Sequence, residues 1–398
     1  MLRPDQFAFV GTDTHKHQHS LAVCDCWSRV HLQLDFPNDP KSFPGVVEQV
    51  KAACPERMKI IFGIEGSGGY GYLFATFLRG MGFVVKEINA TLTDRQRRKA
   101  PHPEKSDAID ARAIAKVLMD NLEELPEAGS DEVAKAMQEL VQQRDVLVHN
   151  RVSLRNRLHS LLYQQHPNYR DIFYNTFCPA ALAFWERFPS PRHFRGFGVK
   201  RMLSWFRRQR HLQITEEKVL EILNAADKKG SSTFLTEQRD FLVRDLVQQL
   251  RLLDDQIARL VERMDKLLQQ TGQTLTTMDG VDTVLASKIL AHVDTTRITT
   301  AAKLAKHAGV APLENSSGMT RRKRRSKHGC RALNHALYCV AVNQIRRNPV
   351  AQAYFRRKVA QGKSKTAALR CLMRRLCDVI FALIRDQVPY RQPQPKAA

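Results

Sequence analysis

Along the first 120 residues, short apolar runs alternate with polar turns. Residues 7–10, 21–24 and 30–34 are brief extended candidates separated by turn residues, as in a meander of strands. Residues 40–53 read as a connecting helix. Residues 59–64 form an apolar run without alternation, the pattern of a strand buried on both faces, and residues 83–88 repeat it. Residues 70–81 have helical spacing and close at Gly82. A further helix is predicted over about 106–122, with Ser106 as its cap. Strands followed by helix, strand and helix imply a mixed sheet with covering helices.

The pattern changes after a linker at 126–130. A long helix is expected from about Asp131, where Val133, Met137, Leu140, Leu147, Leu154, Leu158 and Leu161 keep a 4,3 spacing and Arg144 and Arg151 occupy two seam positions. A second long helix is cleaner. Val243, Leu246, Leu250, Leu253, Ile257, Leu260, Met264 and Leu267 repeat at 3,4 intervals without interruption, which is a coiled-coil seam. The two helices can pair within the chain or between subunits. Between them, residues 166–230 interleave aromatics with basic residues, including Tyr169, Phe173, Tyr174, Trp185, Phe188, Phe194, Trp205 and Phe206. Such a stretch is either a nucleic-acid surface or the aromatic core of a small helical subdomain. From Leu275 onward the chain reads as helix and short loops. Residues 278–282, Met-Asp-Gly-Val-Asp, precede a helix over about 283–292, like the turn of a helix-hairpin-helix that offers backbone N–H groups to a phosphate.

At 398 residues the chain is expected to form two or three domains. It has no apolar run long enough for a membrane span, and its first ten residues lack the layout of a secretory signal. Eight cysteines without C-x-x-C spacing fit a reduced, cytoplasmic compartment without a zinc site. His15, His17 and His19 would share one face of a strand, where they could form a metal cluster, and the favoured reading is polar residues of a half-exposed strand.

The net charge of +23 is unevenly placed. Residues 1–120 carry 16 basic and 14 acidic residues, and residues 121–300 carry 25 and 23, while residues 301–398 carry 22 basic against 3 acidic. The excess therefore lies in the last quarter and points to a polyanionic partner there. A solvated basic tail is the weaker reading, because Ala332, Leu333, Ala336, Leu337 and Val340 thread this region at helical spacing.

Four acids stand out by placement. Asp13 follows the first strand. Glu65 ends the buried strand at 59–64, before Gly66-Ser67-Gly68-Gly69. Asp107 and Asp110 lie three apart on the helix opening at Ser106, hence on one face. Carboxylates brought together raise one another's pKa and are tolerated when a divalent cation neutralises them. Mg²⁺ (or Mn²⁺) takes such hard oxygen ligands, and two ions about 4 Å apart can clamp the attacking and leaving oxygens of a phosphoryl transfer. Singly, Asp13 could be a turn residue and Asp107 a helix-dipole partner; together the four support a metal site. A second constellation is the turn Gly309 to Gly318 with Ser316 and Ser317, followed by Arg321, Arg322, Lys323, Arg324 and Arg325, with Lys327 beyond. A serine here could attack a phosphodiester with guanidinium support, or the segment could simply contact phosphate.

These motifs together resemble the DEDD transposases of bacterial insertion sequences, relatives of the Piv/MooV DNA invertases and a group that includes bridge-RNA-guided recombinases. The match covers nearly the whole chain: G-T-D-T-H-K, G-I-E-G-S-G-G-Y and K-S-D-A-I-D-A-R in front, then T-M-D-G-V, A-G-V-A-P-L-E-N-S-S-G, K-H-G-C-R-A-L-N and G-K-S-K-T-A-A behind. The resemblance implies an α/β plus all-α architecture. A RuvC-like, RNase H-type domain would span 1–125, a coiled-coil and helical insert 126–271, and a basic helical transposase domain with the helix-hairpin-helix-like segment 272–398. It implies that Asp13, Glu65, Asp107 and Asp110 hold metal and that the nucleophile is the serine before glycine, Ser317, with Ser316 as its competitor. It also implies DNA ends and target as substrates, a structured guide RNA, and a dimer or tetramer with composite sites. Thr12 stands where the family often has an apolar residue, and Cys330 where a polar one is common; neither is a proposed catalytic position. A RuvC-like nuclease without a covalent intermediate and a non-enzymatic architectural binder are the competing expectations.

Overall fold

The computed structural model describes residues 4–55, 58–66, 68–99, 104–129, 132–166, 169–209, 214–225, 233–295, 298–317, 320–325 and 329–392, with the backbone alone at 4, 225 and 233 and over 313–317 and 320–325. Ser67, Ser130, Asp131, Gly318 and Lys327 lie outside the described residues. The chain divides into two units, Met1–Gln138 with Thr271–Ala398, and Glu139–Gln270.

The front of the first unit is a five-stranded sheet. Its strands are β1 (Phe7–Thr14), β2 (Gln18–Cys24), β3 (Val30–Pro37), β4 (Lys59–Glu65) and β5 (Val84–Ile88), in the order β3-β2-β1-β4-β5. β1, β2 and β3 form the antiparallel meander, while β1, β4 and β5 run parallel. Helices α1 (Phe43–Ala53), α2 (Tyr72–Gly80), α3 (Ala90–Arg97) and α4 (Asp107–Asp120) cover it. α3 was not legible in the apolar pattern; Asn89 caps it by accepting from the Thr91 N–H.

Strand alternation sorts the core into two layers. Ala8 and Val10 of β1 pack with Phe43 and Val47 of α1 and Phe74 and Leu78 of α2. Phe7 and Phe9, on the opposite face, pack with Ile114, Val117 and Leu118 of α4. Gly11 and Asp13 continue this second face. A Cβ on Gly11 would lie 2.1 Å from the Ala111 carbonyl oxygen and 2.4 Å from the Ala115 nitrogen. Only glycine lets α4 sit this close to the central strand.

The second unit holds most of α5 (Glu132–Gln165), then α6 (Tyr169–Ile172), α7 (Pro179–Arg187), α8 (Val199–Arg208), α9 (Glu216–Ala225) and α10 (Thr233–Gln270). On α10 the seam residues Val243, Leu246, Leu250, Ile257 and Met264 are buried. Arg151 pairs with Asp254 at 2.9 Å and Gln165 with Asp240 at 2.8 Å, so the two long helices run antiparallel within the chain along this stretch. The aromatic stretch forms a core. Phe184, Trp185, Phe188, Phe194 and Phe206 are buried together against Leu158 and Leu162 of α5 and Val243 and Leu246 of α10.

The rear of the first unit departs from the all-helical expectation. A 3-10 turn (Leu275–Thr277) leads to α11 (Thr283–Leu290) and α12 (Ala301–His307), then to the antiparallel hairpin β6 (Pro312–Ser317) and β7 (Thr320–Arg325). Helices α13 (Arg331–Arg347), α14 (Pro349–Ala360) and α15 (Lys365–Asp386) follow. The hairpin corrects the helical reading of this segment: a run of five basic residues has no apolar repeat for a helix to bury. Only one 3-10 turn precedes Gly280, so the segment is not a pair of full helices. Its carbonyl accepts from Asn343 Nδ2 at 2.7 Å, which ties the turn to α13. In α13 itself, Leu333, Ala336, Leu337 and Val340 are buried, as their spacing predicts.

Candidate active site

Parallel pairing of β1 and β4 carries Thr12 to Ile64, so the next residues, Asp13 and Glu65, sit side by side at the strand ends. On β4, Ile61, Gly63 and Glu65 share the face under α4, and Gly63 again permits close approach: a Cβ there would lie 3.2 Å from Ile88 and Leu118 side-chain carbons. The hydroxyl of Thr14 donates to the Glu65 carbonyl at 2.6 Å and ties the two ends together. Above them α4 begins. The Ser106 side chain accepts from the Ile109 N–H, and the first turn contains Asp107 and Asp110. Carboxylates are favoured at this positive end of the helix dipole.

Of the four acids, Asp13 and Asp107 bring carboxylate oxygens within 4.8 Å of one another, and Glu65 and Asp110 lie near enough for their charges to act on Asp13. Its carboxyl is pushed up from 3.8 to about 6 by burial, against a pull from His15, with the charges of Glu65, Asp110 and Asp107 adding to the rise. The surrounding contacts differ in kind. Asp110 is buried and accepts two hydrogen bonds from Arg97 Nη1, at 2.7 and 3.0 Å. Arg97 also binds Asp94 at 2.6 Å. Asp107 is largely exposed. Glu65 Oε2 is buried without a hydrogen-bond partner. An ionisable oxygen buried and unpartnered is costly unless something else meets it.

One residue was misplaced by the sequence reading and one was missed. His15 is not on a strand with His17 and His19; both it and His17 lie in the turn between β1 and β2, and only His19 is on β2. From that turn His15 Nε2 reaches Asp13 Oδ2 and Asp107 Oδ1, each at 3.3 Å. Asp13, His15 and Asp107 thus form a group with the spacing of cation ligands. Arg97 was the residue missed, because α3 was not anticipated. Proximity of His15 to Asp13 in sequence was the available signal.

The serine motif lies on the β6–β7 hairpin. Ser316 pairs with Arg321 and Ser317 with Thr320, next to the turn. Arg322, Lys323, Arg324 and Arg325 continue β7. The base of the hairpin is pinned: Cys330 N–H donates to the His307 carbonyl at 2.8 Å, Asn334 Nδ2 to Ala308 at 2.7 Å and Arg370 to Gly309 at 2.9 Å. Gly329, at φ +125°, passes so close to Gly309 that a Cβ would meet its nitrogen at 2.7 Å.

A five-stranded mixed sheet with acids on its central strand, the adjacent strand and the covering helix is the arrangement of a DEDD nuclease-like domain. Residues 10–167 match the DEDD transposases of IS110 elements, and residues 272–356 match the transposase IS116/IS110/IS902 family. The chain belongs to this family of insertion-sequence transposases. It is 27% identical to the insertion element IS110 protein of Streptomyces coelicolor, over 98% of this chain and 97% of that protein. It is also 27% identical to the insertion element IS900 protein of Mycobacterium paratuberculosis, over 99% of each. With the pilin gene-inverting protein of Moraxella bovis it shares 28% identity over 167 residues, 41% of this chain and 52% of that protein. Among the described residues no helix is long and apolar enough to cross a membrane.

Proposed function

We propose that this transposase cuts and rejoins DNA at insertion-element ends through a divalent-cation site on Asp13, Glu65, Asp107 and Asp110 and a nucleophilic serine, Ser317. The observation that carries the first half is the buried, unpartnered Glu65 Oε2 beside a carboxyl raised by burial, with its acidic neighbours adding to the rise. Hard oxygen donors of this kind suit Mg²⁺ or Mn²⁺. When bound, such an ion supplies positive charge against the phosphate and the departing oxygen. The protein's own contribution is placement. β1, β4 and α4 hold the carboxylates before substrate arrives, and Gly11 and Gly63 set their separation.

In the second half, the Ser317 oxygen forms a bond to phosphorus as the phosphorus–sugar oxygen bond breaks. The serine proton ends on the released sugar hydroxyl. Rejoining is the reverse reaction with a different DNA end, so the phosphodiester energy is kept. The basic strand β7 supplies counter-charge for DNA, consistent with the concentration of positive charge after residue 300. The reading includes domains at 1–125, 126–271 and 272–398, an element-encoded guide RNA, and a dimer or tetramer whose long helices could also pair between subunits. Family membership, with matches over residues 10–167 and 272–356, supports it.

Denaturing gels test it. The protein is incubated with labelled element-end DNA and Mg²⁺, with and without co-purified RNA. Covalent protein–DNA adducts should form, disappear in Ser317→Ala and persist in Ser316→Ala. Asp13→Asn should lose cleavage and keep DNA binding. Cleavage without adducts would leave a DEDD nuclease that hydrolyses DNA directly, and cleavage surviving in Asp13→Asn would remove the acids from the chemistry.

A further inference from the structure

The acidic cluster contains a nitrogen donor that a four-carboxylate site leaves out. One donor atom each from Asp13, His15 and Asp107 lies within 4.8 Å of the other two, and the His15 Nε2 distances to both carboxylate oxygens are 3.3 Å. In an octahedral shell with ligand bonds of about 2.1 Å, adjacent donors stand about 3.0 Å apart and opposite donors about 4.2 Å. The two distances from His15 Nε2 are therefore close to the spacing of neighbouring ligands on one ion.

His15 is also held in position by the fold. Its backbone N–H donates to Nδ1 of His19 at 3.3 Å. The His19 side chain is buried on β2, edge-on to Phe36 with ring centroids 5.3 Å apart. Asn38 Nδ2 fastens the same turn by donating to the Lys16 and Tyr70 carbonyls, at 3.3 and 3.2 Å. The His15 side chain is itself half-exposed, which leaves the far side of the site open to water and substrate.

We propose that His15 is a ligand of the cation held by Asp13 and Asp107, through Nε2, and that it tilts the site from Mg²⁺ towards Mn²⁺. The inference rests on the reading of the acids as a cation site. Its chemical basis is the donor set. Mg²⁺ favours oxygen and gains little from imidazole, whereas Mn²⁺ has similar charge and coordination number and accepts nitrogen more readily.

The test is Mn²⁺ binding to the full-length, metal-stripped chain followed by electron paramagnetic resonance. Spin-echo modulation from a directly bonded ¹⁴N is expected in the wild type and in His17→Ala, and is expected to vanish in His15→Ala and His15→Gln while Mn²⁺ still binds. His15→Ala should weaken Mn²⁺ by about tenfold and leave Mg²⁺ within about threefold. His15→Gln, which offers an oxygen, should shift preference back towards Mg²⁺. Absence of nitrogen modulation in Mn²⁺-loaded wild type overturns the inference and leaves the carboxylate site standing. Tighter Mn²⁺ binding in His15→Ala also overturns it, by making His15 a group the ion must displace. If wild type and Asp13→Asn bind Mn²⁺ equally, the cation-site reading fails and this inference with it.

Discussion

Replacing Asp13 by Asn should stabilise the metal-free protein at neutral pH while disabling it. In the folded chain the Asp13 carboxyl ionises at about 6 instead of 3.8. Between those values the native state holds more protons than the unfolded state, so stability falls as pH rises through this window and stays reduced above it. The full shift corresponds to about 3 kcal/mol, and solvent screening at the mouth of the site trims the working figure to about 2 kcal/mol. Asn removes this penalty because it has no charge to bury. Amide hydrogen exchange of the β1 and β4 peptides in chelator is the suitable assay, since it reads the sheet separately from the helical unit. Asp13→Asn should show the greater protection at pH 7.5, by about 30-fold for 2 kcal/mol, and the gap should close towards pH 4. Adding Mn²⁺ should reverse the order, because only the intact site gains binding free energy, about 2.7 kcal/mol at a hundredfold excess over Kd. Equal protection at pH 7.5, or a gap unchanged at pH 4, would show that the carboxylates do not strain the sheet.

Three further outcomes follow from the packing and the charge. Gly11→Ala places a Cβ 2.1 Å from a backbone oxygen of α4, so the helix must shift by about an ångström; thermal unfolding should show a loss of about 1–3 kcal/mol together with weaker Mn²⁺ binding, whereas Gly45→Ala, with nothing within 4 Å, should be neutral in both. Asp240→Ala strips Gln165, Arg192 and His193 of the buried carboxylate they share and should cost the helical unit about 3–5 kcal/mol, read by urea unfolding through Trp185 fluorescence. Burial alone would raise the Asp240 pKa, but the bonds from His193 and Arg192 outweigh it and hold it below the ordinary value, so this contribution should be present at neutral pH and fade as pH drops through and below the usual carboxylate range. DNA affinity should fall steeply with salt, and replacing Arg321, Arg322 and Arg324 by Gln should flatten the log–log slope by about 0.9 for each phosphate that the variant no longer neutralises; an unchanged slope would move the polyanion surface elsewhere.

What the sequence reveals about this site depends on the range of the interactions involved. The placement of the acids on their elements was legible because it needs only local rules: Glu65 ends a buried run, and Asp107 and Asp110 share one helical face beside a serine cap. The α10 seam was legible for the same reason. Gly11 was not, because its role exists only once α4 lies against β1, a contact about a hundred residues away in sequence. The aromatic stretch could be sorted into core or surface only in three dimensions, since period and composition allow both. The β6–β7 hairpin escaped because a row of charged residues carries no apolar period at all.

His15 shows how these limits bear on chemistry. Alternation assigned it to one face of a strand with His17 and His19, but β1 stops at Thr14 and the chain turns before that alternation can continue. The turn is closed by polar contacts: the His15 N–H on His19 and the Asn38 amide on the Lys16 carbonyl. Apolar patterning has no access to such contacts, yet they swing an imidazole to within 3.3 Å of two carboxylates on different elements. The strands and α4 thus place oxygen donors through packing, while a hydrogen-bonded turn adds the nitrogen. Residues in such turns can change without disturbing the core, so if His15 is a ligand as proposed, substitutions at position 15 should alter cation preference at least cost to the sheet that carries the acids.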